Sequence, residues 1–171
     1  MKKLILIITV MFAFACNTEV DQSAREIHYD RDICVNCLMG LAEKGYTAQA
    51  VNEYGEVLWF DDLGCLVEYA KTDDWKRWGG ENAKAWIGDC ETDEWIDAYK
   101  AFYRYGDRTP MGYGYGALKE NLGDSLYNYQ TTVDRINAGI TMREDFIKET
   151  KMLHQGDSTM MMKKEGKKKM K

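Results

Sequence analysis

Three sulfur-bearing side chains near the start of the chain have the types and the spacing that metal chemistry requires. Cys34 and Cys37 form a C-x-x-C pair and Met39 follows two residues later, so three soft donors fall within six residues. In an extended segment, Cys37 and Met39 project to the same face. Thiolate and thioether sulfurs favour Cu(I) over harder cations. The pattern is typical of a Cu(I) site with few ligands, from which the metal can be passed on.

The same C-x-x-C pair is compatible with other kinds of site. A structural Cys34–Cys37 disulfide suits an oxidising compartment. Thiol–disulfide exchange would use the same two sulfurs, although a redox C-x-x-C normally opens a helix after a strand, and here only polar residues precede it. A four-cysteine zinc site needs a second close pair, and Cys65 and Cys90 are 25 residues apart. Spacing alone does not decide between a soft-metal site and a disulfide or redox pair.

Met111 is a further candidate sulfur donor. It follows Pro110, the only proline of the chain, and precedes alternating glycines and tyrosines from Gly112 to Gly116. The bare glycines favour an accessible Met111, although methionine is also a common filler of gaps in protein cores. The sequence therefore does not decide whether Met111 is a thioether ligand or a core residue.

Four other residues have simpler structural explanations. Cys65 and Cys90 are expected to be buried apolar side chains or to form a disulfide with each other. Asp61 and Asp62 precede an apolar helical pattern, so we expect them to be helix caps and surface charges. A carboxylate is also too hard a ligand to prefer Cu(I).

Composition and charge exclude several classes of function. Hydrophobic residues make up 45% of the chain and aromatic residues 12%, which is enough for a packed core. Residues 16–150 carry 14 basic and 26 acidic side chains, a net charge of −12, which is unsuited to nucleic acid. The two histidines, His28 and His154, belong to no recognisable catalytic motif, so we expect a protein that is not an enzyme.

The N-terminus resembles that of an exported bacterial lipoprotein. Lys2 and Lys3 precede an apolar run too short to span a bilayer, and small residues lead up to Cys16. We expect residues 1–15 to be removed as a signal peptide and Cys16 to be lipidated, which anchors the protein on the periplasmic side of a bacterial membrane. Asn17, which is not the aspartate that retains lipoproteins at the inner membrane in some bacteria, slightly favours the outer membrane.

Hydrophobic patterns predict a mixed α/β domain. A turn at Gly55 separates two strand-like segments, and apolar residues at helical spacing follow, so 46–72 is predicted to be β-β-α. Residues 118–130 are expected to be irregular or helical. A helix is predicted over 141–153, with Thr141 as its cap. The segments predicted as strands are 46–52, 57–60, 84–89 and 112–116. Residues 95–105 are compatible with a strand or a helix, and we favour a strand. The inward-facing residues predicted for the last helix are Phe146, Ile147 and Met152.

Taken together, the motifs resemble those of the NosL family of copper-binding lipoproteins. The family's order of motifs is matched by a lipoprotein-like start, Asp32 to Met39, Ala48 to Ala50, Val57 to Cys65, Trp95 to Ala98, and Thr109 to Gly114. The resemblance covers residues 32–118. At Leu38 the sequence departs from the family, which usually has glycine between its cysteine and methionine, and leucine does not readily adopt positive φ.

This resemblance implies an α+β fold, a small compact domain of two ββαβ-like units. It implies Cu(I) binding by Cys37 and Met39, with Met111 as an additional thioether and Cys34 joining or protecting the site. It also implies a membrane-anchored protein that delivers copper to a copper enzyme, most often nitrous oxide reductase. The expected divisions are a signal peptide at 1–15, a tether at 16–31, a NosL-like domain at 32–153 and a disordered, basic, Met-rich tail at 154–171.

Overall fold

Two antiparallel sheets and several helices make up the computed structural model, which describes residues 20–152 except positions 122 and 124. The strands are β1 (Ala48–Val51), β2 (Val57–Phe60), β3 (Lys84–Gly88), β4 (Trp95–Asp97), β5 (Phe102–Tyr105), β6 (Tyr115–Leu118) and β7 (Leu126–Asn128). The helices are α1 (Leu63–Tyr69), α2 (Asp73–Trp78), α3 (Tyr129–Asn137) and α4 (142–152), and short 3-10 turns cover Lys44–Tyr46 and Gly80–Asn82. The α+β class expected from the sequence is confirmed.

The first sheet has the strand order β2-β1-β3-β4 and carries the hairpin that positions the cysteines. Buried Asn52 forms the turn of this hairpin, because its side-chain oxygen accepts hydrogen bonds from the backbone N–H groups of Tyr54 and Glu56 at 3.0 and 2.9 Å. Gly55 has a φ of 79°, as this turn requires. The predicted β-β-α order over 46–72 is therefore confirmed.

The second sheet has the order β6-β5-β7 and meets the first sheet where the chain leaves β3. The backbone N–H of Cys90 donates to the carbonyl of Ala117 at 2.9 Å, beside a parallel bridge between Asp89 and Ala117. Strands β1, β2 and β3 with α1 and α2 form a ββαβ unit, whereas in the second unit the third strand precedes α3. The segment expected to be irregular or helical contains β7 and the start of α3, which Asn128 caps.

The predicted strand at 112–116 begins later than expected. Gly112 and Gly114 have positive φ values of 70° and 87°, so the chain turns before β6 starts at Tyr115. Helix α4 lies close to these glycines, because Met142 and Arg143 are within contact distance of the space that a β-carbon would take.

Helix α4 forms as predicted but does not bury the predicted side chains. Thr141 caps it, with the backbone N–H of Glu144 donating to Thr141 Oγ1 at 3.3 Å. Phe146 and Met152 are 69% and 65% exposed, and Ile147 is also exposed, so their inward assignment is wrong. The physical reason is that α4 lies against the glycine turn by its first residues and then extends away from the core.

The segment that the sequence assigned to the tether lies, from Gln22 onwards, against the first sheet. The side chain of fully buried Gln49 accepts a hydrogen bond from the backbone N–H of Arg25 at 2.8 Å and donates to the Arg25 carbonyl at 2.9 Å. Trp86 Nε1 donates to the Gln22 carbonyl at 2.9 Å. This segment therefore provides hydrogen-bond partners for β1 and β3.

The described residues include no helix with the length and hydropathy needed to cross a membrane. The predicted signal peptide at 1–15, the lipidated Cys16, His154 and the tail at 154–171 lie outside the described residues.

Candidate metal centre

A tight reversal of the chain presents the C-x-x-C pair to the end of the β1–β2 hairpin. The backbone N–H of Cys34 donates to the Met39 carbonyl at 2.8 Å, and that of Leu38 donates to the Cys34 carbonyl at 2.9 Å. The N–H of Val35 donates to the Trp59 carbonyl at 2.9 Å, which ties the reversal to β2. The two cysteines are thereby brought next to the start of α1.

Leu38 occupies the left-handed region of backbone conformation at the tip of this reversal, with a φ of 62°. A left-handed conformation costs a residue with a β-carbon roughly 1–2 kcal/mol. The side chain is 72% exposed, so little burial offsets this cost. The backbone thus adopts a conformation that glycine would take without strain, although leucine stands at this position.

Three cysteine sulfurs meet at this point. The Sγ atoms of Cys34, Cys37 and Cys65 all lie within 4.8 Å of one another, and we call them the three-cysteine cluster. Cys65 contributes from the first turn of α1, which begins at Leu63 directly after β2. A metal with sulfur bonds of about 2.3 Å holds three sulfurs about 4 Å apart, so the cluster has the size that such an ion requires.

The proximity of Cys65 to the C-x-x-C pair is the main feature that sequence reasoning missed. Cys65 is fully buried, as expected, but it lies beside Cys34 and Cys37. Cys90 lies elsewhere, with its sulfur 3.5 Å from a guanidinium nitrogen of Arg104, and all four described cysteines are free thiols. The position of Cys65 after a strand and a capping aspartate was the available signal, but only the packing of the reversal on β2 brings it to the pair.

The cluster holds one sulfur that ionises easily and two that do not. Hydrogen bonds from the Cys65 thiol, and from the backbone N–H groups of Cys37 and Asp61, lower the pKa of Cys34 to about 5 despite its burial. Burial raises the pKa of Cys37, and donation to the Cys34 sulfur is the main cause that raises the pKa of Cys65. The hydrogen bonds of the cluster therefore favour the thiolate at Cys34 and the protonated thiol at Cys37 and Cys65.

Asp61 and Asp62 are both fully buried, so the expectation of surface charges is wrong. Asp61 Oδ1 accepts a hydrogen bond from the backbone N–H of Ala42 at 2.9 Å, whereas its Oδ2 has no partner among the described residues. Burial raises the pKa of Asp61, and the nearby Cys34 sulfur raises it further. The capping role holds for Asp62, which accepts from the N–H of Gly64 at 3.1 Å.

The two predicted thioether ligands differ in their burial. Met39 is 49% exposed, and Met111 is partly buried against the core that contains Cys34 and Cys65. The backbone N–H of Met111 donates to Asp62 Oδ2 at 3.2 Å. Their participation as ligands stays a prediction. His28 is not part of the three-cysteine cluster.

The fold is similar to a solved structure, the copper chaperone NosL from Shewanella denitrificans, with a TM-score of 0.52 and 16% sequence identity. The similarity covers 65% of this chain and 96% of that chain. The amino-acid sequence matches no protein-family model and no curated protein. A likeness at this identity shows a NosL-like fold, so the metal and its use have to be argued from the residues of this chain.

Proposed function

We propose that this protein is a Cu(I)-binding metallochaperone, a carrier without enzymatic activity, that delivers copper to a copper enzyme. The observation that carries the proposal is the meeting of three cysteine sulfurs within 4.8 Å. Soft thiolates favour Cu(I), and the cluster offers sulfur alone, without a histidine or carboxylate oxygen. The similarity of the fold to a copper chaperone supports the same proposal.

The burial pattern suits a carrier that must also release its cargo. Cys34 and Cys65 are fully buried, whereas Cys37 is partly exposed. Before a bound metal can be passed on, an incoming ligand of the acceptor needs access to it. In this proposal Cys37 lies on the route of entry and exit, and the thioethers of Met39 and Met111 are additional ligands.

The acceptor we propose is nitrous oxide reductase, as the sequence resemblance implies. We propose that the protein acts on the periplasmic side of a bacterial membrane, held there by a lipid on Cys16, with the outer membrane slightly favoured. The lipoprotein-like start of the sequence supports this location. Transfer of Cu(I) from the loaded protein to copper-free nitrous oxide reductase, followed by recovery of its activity, tests the acceptor.

An anaerobic Cu(I) competition titration against a chromogenic chelator tests the central proposal. The reduced chain from residue 17 onwards should hold one equivalent, and Cys37→Ser or Cys65→Ser should weaken it at least tenfold. Cys90→Ser is the matched control and should leave the affinity unchanged, because Cys90 lies outside the cluster. If Cys37→Ser and Cys65→Ser both bind Cu(I) as tightly as the wild type, the proposal is contradicted.

Thiol–disulfide exchange by the Cys34–Cys37 pair is the second candidate function. The low pKa of Cys34 favours it, because a thiolate is the attacking species in exchange. The full burial of Cys34 opposes it, since a partner thiol must reach the sulfur. Equilibration of the metal-free protein with glutathione buffers tests it, and a pair that stays in one redox state throughout would remove this candidate.

A further inference from the structure

Asp62 is a buried carboxylate that contacts both the first turn of α1 and the loop that carries Met111. Its Oδ1 accepts a hydrogen bond from the backbone N–H of Gly64, at the start of the helix that carries Cys65. Its Oδ2 accepts from Thr109 Oγ1 at 2.5 Å and from the backbone N–H of Met111 at 3.2 Å. One side chain therefore connects the helix of Cys65 to the loop of Met111.

The Met111 loop is held closely against the same helix. Thr109 Oγ1 accepts a hydrogen bond from the N–H of Gly114 at 3.1 Å, which closes the loop on itself. A β-carbon on Gly64 would lie 2.0 Å from the ring of Tyr113, so the ring lies directly on the first turn of α1. These contacts and Asp62 hold the loop that carries Met111 against the helix that carries Cys65.

Capping of α1 does not explain why this residue is an aspartate. Asparagine caps helices as well as aspartate does and does not place a charge in the interior. Only a carboxylate offers two acceptor oxygens, so that one can cap the helix while the other holds two donors of the Met111 loop. The arrangement therefore uses the property in which aspartate differs from asparagine.

We propose that Asp62 is a positioning residue that holds the Met111 thioether beside the three-cysteine cluster and so makes Met111 a ligand of bound copper. The inference rests on the proposed copper-binding function. Residues behind a metal ligand typically change metal affinity by about 10–100-fold when they are replaced.

Asp62→Asn is the direct test. Asparagine keeps one acceptor for Gly64 but turns an NH₂ group toward the N–H of Met111, so the cap remains and the loop contact is lost. We expect the Cu(I) dissociation constant to rise about tenfold. Because Asp62 acts through Met111, Asp62→Asn combined with Met111→Leu should bind Cu(I) no more weakly than Met111→Leu alone.

A spectroscopic measurement separates positioning from a general loss of structure. In protein labelled with ¹³C at the methionine methyl groups, Cu(I) should shift the Met111 signal in the wild type. The shift should disappear in Asp62→Asn while the rest of the spectrum remains that of a folded protein. Thr109→Val removes one donor to the same carboxylate and should reduce the shift. Thr72→Val removes the hydroxyl that caps α2, away from the site, and should leave the shift intact.

The outcomes distinguish this inference from the function on which it rests. If the wild type holds no Cu(I), both the proposed function and the inference fail. If the wild type holds Cu(I) but its Met111 signal does not shift, only the inference fails. It also fails if Asp62→Asn weakens binding as much in the Met111→Leu background as in the wild type. If Asp62→Asn does not fold, the comparison of Thr109→Val with Thr72→Val tests the inference by the Cu(I)-induced shift of the Met111 signal. An equal shift in these two variants would contradict the inference.

Discussion

The three cysteines of the cluster differ in ionisation although they share one site. Cys34 accepts hydrogen bonds from a thiol and from backbone N–H groups, which stabilise its thiolate, whereas Cys65 gives its proton to that hydrogen bond. Copper binding at neutral pH would therefore displace protons from Cys37 and Cys65 and find Cys34 already ionised. The arrangement lowers the proton cost of binding without exposing a reactive thiolate to solvent.

The ultraviolet absorbance of the thiolate tests this assignment. We expect one thiolate per molecule at pH 7 in the reduced, metal-free protein, with a titration midpoint at about 5 that is lost in Cys34→Ser. Cys65→Ala removes the main hydrogen-bond donor, so it should raise the pKa of Cys34. An unchanged midpoint in Cys65→Ala would show that the thiol of Cys65 does not stabilise this thiolate.

The same pKa has a consequence for stability. Because folding lowers the pKa of Cys34 from its ordinary value of about 9 to about 5, the folded state binds fewer protons than the unfolded state between these values. Its contribution to stability is complete above pH 9 and is lost as the pH falls toward 5. In denaturant unfolding under reducing conditions, the free energy of unfolding of the wild type should increase relative to that of Cys34→Ser as the pH rises through this window. A difference that stays constant with pH would contradict the prediction.

Leu38 is strained at the tip of the cysteine reversal. Leu38→Gly should increase the free energy of unfolding by about 1 kcal/mol, because relief of the left-handed conformation exceeds the entropy that glycine adds to the unfolded chain. The gain should raise the melting temperature by about 2–4 °C in a domain of this size. Leu38→Ala is the control, since it shortens an exposed side chain but keeps the β-carbon, and should change little. A less stable Leu38→Gly would be the contrary result.

At the scale of elements, the hairpin β1–β2 depends on one side chain in its turn. Asn52 is fully buried, and its NH₂ group donates to the Trp78 carbonyl at 3.0 Å while its oxygen accepts from the turn. The residue therefore joins the hairpin to the end of α2. Since β2 leads directly into α1, the turn also supports the approach of Cys65 to the other cysteines.

Asn52→Ala should lower the free energy of unfolding by about 2–3 kcal/mol, because it leaves buried backbone groups without partners. Asn52→Asp should not restore this stability, because it keeps the acceptor for the turn but turns a buried carboxylate oxygen toward the Glu56 carboxylate and the Trp78 carbonyl. Glu53→Ala, at an exposed position of the same turn, is the matched control and should be near neutral. Equilibrium denaturation gives these values, and an Asn52→Ala variant as stable as wild type would show that water replaces the side chain.

At the scale of the whole molecule, the N-terminal segment belongs to the folded body from Gln22 onwards. Both polar groups of the buried Gln49 amide bond to the backbone of Arg25. A chain that begins at residue 28 should therefore be less stable than one that begins at residue 20 by at least about 2 kcal/mol. Gln49→Met, combined with the truncation, should restore part of the loss, because it removes the unsatisfied amide. Equal stability of the two chains would contradict this role for the segment.

Local features of the molecule followed from the sequence by itself. Hydrogen bonds and burial patterns within a few residues determine such features. They made predictable the β-β-α order over 46–72, the cap at Thr141 and the proximity of Cys34 to Cys37. The α+β class followed from the same patterns. Predictions that required knowledge of neighbouring elements were less successful: α4 was expected to bury Phe146, and 112–116 was expected to be one strand.

The tertiary structure decided which distant residues share a site. Cys65 is 28 residues from Cys37 in the sequence, and Asp62 is 49 residues from Met111. No local periodicity relates such pairs, because their distances depend on how a chain reversal lies on β2 and how a loop lies on α1. The sequence therefore determined that soft sulfur donors were present, and tertiary packing decided that Cys65 joins Cys34 and Cys37 and that a buried carboxylate connects the helix of Cys65 to the loop of Met111.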